Sequence, residues 1–126
     1  VDTEFKRRLH YFMEAYHRIY AHYITTVEGG DPAQVIPLSA VTYTHRKNGK
    51  YVRIDKELTT RPKRAIAFID VANGNIYRAS SGRRQHQMRP RASIFDADCG
   101  ASCLRWYGVK TLEDEKIFHP IKEKMS

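Results

Sequence analysis

Cysteine is scarce: Cys99 and Cys103 are the only two in 126 residues, whereas a secreted scaffold of this size held by disulfides usually carries about four or more. A reducing compartment is therefore the expected setting. No apolar run approaches the roughly 20 residues a membrane helix needs, so no membrane partner is expected. The first 25 residues mix charged with apolar side chains and show no separate basic and apolar regions of a signal peptide. Also missing are a Gly-rich phosphate loop, a nucleophile elbow and a carboxylate cluster suited to Mg²⁺, which removes the commonest routes to phosphoryl and acyl transfer. No internal repeat or low-complexity segment occurs.

What is abundant is positive charge. With 22 Lys and Arg against 14 Asp and Glu, the formal net charge is +8, which favours acidic partners and places nucleic acid first among them. Eight tyrosines and five phenylalanines supply a core, so the mean hydropathy of −0.61 does not indicate a disordered basic tail. The length fits one globular domain over residues 1–126.

Phe5, Leu9, Phe12, Tyr16, Ile19, Tyr20, Tyr23 and Ile24 advance in steps of mostly three and four, the period of one helical face. They predict an amphipathic helix over residues 3–27, capped by Asp2 or Thr3 and ended by Gly29-Gly30. The period then changes to two. Val41, Tyr43 and Tyr51-Val52-Arg53-Ile54 flank Asn48-Gly49, a two-residue turn signal in which both positions take positive φ, and predict a β-hairpin over 40–55. A second hairpin over 64–79 turns at Ala72-Asn73-Gly74-Asn75, with Ile66, Phe68 and Val71 facing the core beside Ile76 and Tyr77 pointing the other way. Residues 80–92 read as an exposed basic loop. In the C-terminal segment 93–126, Ile94-Phe95, Leu104, Trp106-Tyr107 and Val109 re-enter the core, and Thr111 to Phe118 reads as a short helix. The expected fold class is α+β: a long N-terminal amphipathic helix packed on an antiparallel meander of about four or five strands.

At Phe68-Ile69-Asp70-Val71-Ala72-Asn73-Gly74-Asn75-Ile76-Tyr77-Arg78-Ala79, then Arg91-Ala92-Ser93-Ile94-Phe95-Asp96 and Trp106-Tyr107-Gly108-Val109, the sequence resembles a group of small tailed-phage proteins. Their pattern runs F-V-D-x-x-x-G-D-I-Y-K-x-A, a lysine- and alanine-rich loop, R-G-N-I-x-D and Y-G. The resemblance spans residues of about 40 to 110 and leaves the N-terminal helix outside. Here the loop is arginine-rich, and Ala92-Ser93 stands in place of Gly-Asn. The group offers no catalytic residues to carry over. The resemblance implies a viral or virus-derived origin, placement in the host cytoplasm or virion, and other viral proteins among the partners.

Arg83, Arg84, Arg89 and Arg91 are planar forks suited to bidentate phosphate contact, and Arg46, Lys47, Lys50 and Lys63 add charge on the hairpins. The readings open at this point are contact with a DNA or RNA phosphate backbone, docking on an acidic protein surface, and ordinary solvated charge. Tyr43, Tyr51 and Tyr77 lie on strands, where they either pack or offer faces for base stacking. Cys99 and Cys103 with His86 or His119 have a ligand-like spacing, but no second matching pair completes a zinc pattern, so neither metal nor cofactor is expected. His45 and His86 are the pair nearest the basic clusters for acid–base cleavage of a phosphodiester. Without a supporting motif the expectation is a non-enzymatic protein, with homo-oligomerisation left open.

Overall fold

A computed structural model describes residues 2–26, 37–58, 61–79 and 89–111 of the chain. Helix α1 (Thr3–Thr26) is capped by Asp2: its Oδ1 accepts the Phe5 N–H at 2.8 Å, and its carbonyl accepts the Lys6 N–H at 3.1 Å. Glu4 in the first turn accepts hydrogen bonds from Arg7 and Arg8, which pull its carboxyl down to about 2. Phe5, Leu9, Phe12, Met13, Ala15 and Tyr16 form the buried stripe, with Ile19 and Tyr20 packed at its margin.

The stripe covers one face of an antiparallel sheet whose strands follow sequence order: β1 (Val41–His45), β2 (Tyr51–Leu58), β3 (Arg61–Asp70), β4 (Asn75–Arg78) and β5 (Ala92–Ser93). The fold is α+β, a long N-terminal helix on a five-stranded sheet. Val52 opposite Ile69, Ile54 opposite Ala67, and Ile69 opposite Ile76 make the fully buried layer beneath the helix. A separate pair, β6 (Leu104–Arg105) with β7 (Gly108–Val109), is tied to α1 where the Tyr16 hydroxyl donates to the Trp106 carbonyl at 2.8 Å.

Three expectations need correction. Phe68 does not face the helix. Ile54 pairs with Ala67 while the next residue, Asp55, pairs with Ala65, so Ile66 is an extra residue in β3. That bulge resets the alternation: Ile66, Ala67 and Ile69 are buried, and Phe68 goes to the opposite face beside Tyr77. Phe95 and Trp106 do not enter the core either, being 45% and 40% exposed. Ile94 takes the interior position while Phe95 meets Phe5 edge-on at 6.1 Å, and Trp106 stacks on Tyr23 at 4.3 Å. The first hairpin does not close through a two-residue turn with two positive φ angles. Only Asn48 is left-handed (φ 62), and the Gly49 N–H donates to the Arg46 carbonyl at 2.8 Å within a wider loop between His45 and Val52. The second turn keeps its glycine signal: Gly74 has φ +76, and its N–H donates to the Asp70 carbonyl at 2.8 Å.

Candidate functional site

Alternation along β2 and β3 decides what the helix does not cover. With Val52, Ile54 and Ile69 committed to the core, Tyr51, Arg53, Phe68 and Asp70 fall on the opposite face, where Tyr51 sits across from Asp70 and Arg53 across from Phe68. Tyr77 joins them from β4 opposite Phe68. The three rings form one edge-to-face cluster, with centroids 6.3 Å apart for Tyr51 and Phe68 and 5.9 Å for Tyr51 and Tyr77. All three rings are half-buried.

Cations rim this cluster. Arg46, Lys50, Arg53 and Lys63 line a concavity of about 580 Å³ together with Thr44, Tyr51 and Phe68. Lys50 lies over the Tyr51 ring at 5.4 Å, and its ammonium is 4.0 Å from a carboxylate oxygen of Asp70. Arg53 donates through Nε to the buried Asp55 carboxylate at 2.7 Å, which fixes the guanidinium on the face and leaves its other N–H groups available. Four cations thus share the face with two anchoring carboxylates, and Lys50 and Lys63 are exposed.

The sequence-derived candidates separate accordingly. Arg46, Lys50, Lys63 and Tyr51 converge on the concavity, and Tyr77 borders it through Tyr51. Tyr43 does not share this face: it pairs with Ile54, packs against the core and meets His10 edge-on at 5.9 Å. Lys47 is exposed in the β1–β2 loop outside the concavity. Arg91 is turned onto backbone, its guanidinium donating to the Arg89 carbonyl and, at 3.4 Å, to the Lys110 carbonyl, while Arg89 is exposed. Arg83, Arg84 and most of the basic loop lie outside the described residues, as do His86, His119 and the segment from residue 112 onward. Phe68 is absent from the sequence-derived candidates because the bulge that reorients β3 leaves no mark in the hydrophobic alternation.

His45 is engaged in the hairpin. Its Nε2 lies 2.9 Å from the Gly49 carbonyl, so that nitrogen carries the proton and donates. Cys99 and Cys103 are buried free thiols, and burial pushes Cys103 up to about 12, far from a ligand-ready thiolate. Among the described residues no three His, Cys, Asp or Glu side chains gather as metal ligands, and no helix is long and apolar enough to cross a membrane. No family model, curated protein or solved structure matches the chain.

Proposed function

We propose that this chain is a non-enzymatic nucleic-acid-associated protein, of a phage or related virus as the hairpin resemblance implies, which holds single-stranded nucleic acid on the sheet face opposite α1. The observation that carries this reading is the aromatic cluster of Tyr51, Phe68 and Tyr77 rimmed by Arg46, Lys50, Arg53 and Lys63. Unpaired bases stack on aromatic side chains while cations track the phosphates, and this sheet face carries both kinds of side chain. Paired bases offer no free faces, so duplex meets only the cations. Arg83, Arg84 and Arg89 of the arginine-rich segment supply further forks for phosphate. A direct binding titration with a single-stranded oligonucleotide and its duplex, at low and moderate salt, tests the reading. Tighter single-strand binding that weakens steeply with salt is expected. Absence of binding at low salt would overturn it in favour of docking on an acidic protein surface.

A further inference from the structure

A second cationic concavity lies on the helix side of the sheet, beside Trp106 and Tyr107, and the proposed single-strand face makes no use of it. Lys56 and Arg64 stand directly opposite each other on β2 and β3, and with Arg78 of β4 they line a space of about 460 Å³ with Trp106 and Tyr107. That volume falls in the range of small-molecule sites, roughly 300–1,000 Å³. Lys56 is 6% exposed, its ammonium over the Tyr20 ring at 4.2 Å. Arg78 keeps its Nε buried with no hydrogen-bond partner. None of the three cations makes an ion pair among the described residues.

This arrangement is costly. Like charges directly across a ladder repel, and a buried guanidinium N–H without an acceptor forfeits its hydration. Burial, with Arg64 beside it, holds the Lys56 ammonium down at about 8. One bound group relieves all three strains at once: a doubly charged oxyanion that accepts from Arg78 and Arg64 and sits beside Lys56. A phosphoryl group has that charge and that number of acceptors. The remaining volume, bordered by Trp106 and Tyr107, has room for what the phosphate is attached to.

We propose that the concavity lined by Lys56, Arg64 and Arg78 is a phosphomonoester site, taking the terminal phosphoryl group of a nucleotide. Calorimetry at constant ionic strength, with Trp106 fluorescence as a second readout since it is the only tryptophan, tests this with five probes. These are a nucleoside monophosphate, its nucleoside, inorganic phosphate, and a short oligonucleotide with and without a 5′-phosphate. Saturable binding of the monophosphate but not the nucleoside is expected, weakened at least tenfold in Lys56→Met and in Arg78→Met and unchanged in Lys6→Ala, an exposed position of α1 in neither concavity. If the 5′-phosphorylated strand binds tighter than its unphosphorylated twin in a manner lost with Arg78→Met, the phosphate belongs to a strand end; equal strands with a bound monophosphate assign it to a free nucleotide. No saturable signal with any phosphate, or equal affinity in wild type and in folded Lys56→Met and Arg78→Met, overturns the site. So does the same signal with chloride.

Discussion

Lys56 and Arg64 face each other across the β2–β3 ladder beneath the helix, the lysine almost fully buried and neither residue paired to a carboxylate among the described residues. A like-charged pair at such a position works against folding, and its cost appears in how stability responds to pH and to substitution.

Lys56→Met is expected to stabilise the protein at neutral pH by on the order of 1 kcal/mol, because the shift of the ammonium from 10.5 to about 8 marks a penalty of up to about 3 kcal/mol, offset in part by the lost cation–π contact with Tyr20. Between those two values the unfolded chain holds a proton that the folded chain has released, so this residue's contribution improves as pH rises through 8 to 10.5. Urea unfolding of both proteins at pH 7 and pH 10 measures it. The advantage of the variant should shrink at the higher pH, and a variant less stable than wild type at pH 7 would refute the account of Lys56.

Cys103 acts in the opposite sense. Burial raises its thiol from 9.0 to about 12 and raises the Tyr16 hydroxyl as well, so the unfolded chain ionises first and stability falls as pH climbs through 9 to 12. By pH 11 the thiol alone costs roughly 3 kcal/mol. Denaturation midpoints at pH 8 and pH 11 should fall less in Cys103→Ala than in wild type; parallel losses would show that the thiol is not the group responsible.

Gly100→Ala should destabilise by about 2 kcal/mol or more. Gly100 has φ +80, and an added Cβ would stand 2.2 Å from Ile76 Cδ1 and 3.0 Å from the Ser93 carbonyl oxygen. Ile76 is fully buried, so the clash is transmitted into the central layer. Thermal unfolding reads the loss, and an unchanged midpoint would mean that the turn before Cys103 repacks freely.

The helix and the meander were legible because their signals are local. Phe5, Leu9, Phe12 and Tyr16 repeat at the helical period, and glycine marks the left-handed turn at Gly74. The sheet face was less so. A single extra residue, Ile66, exchanges the faces of Phe68 and Ile69, and pairing across the ladder, which sequence order does not reveal, puts Phe68 beside Tyr77. Tyr43 and Tyr51 both sit in alternating runs. Only the register, with Tyr43 opposite buried Ile54 and Tyr51 opposite Asp70, sends them to different faces. The pairing of Lys56 with Arg64 is likewise a matter of register, hidden in a sequence where the arginine loop dominates the charge.

The central claim is that the face bearing Tyr51, Phe68 and Tyr77 holds a single strand by stacking and phosphate contact together, and the salt dependence of oligonucleotide affinity separates the two contributions. Each phosphate contact on a single strand contributes a slope of about −0.7 in log affinity against log salt, whereas stacking contributes affinity without slope. Fluorescence anisotropy titration across a salt series, on wild type, Lys50→Ala/Lys63→Ala and Tyr77→Leu, is the decisive measurement. The double lysine variant should lose about 1.4 from the slope, and Tyr77→Leu should bind roughly tenfold more weakly with its slope intact. Wild-type slope and affinity in both variants would contradict the account and move the interface off this face of the sheet.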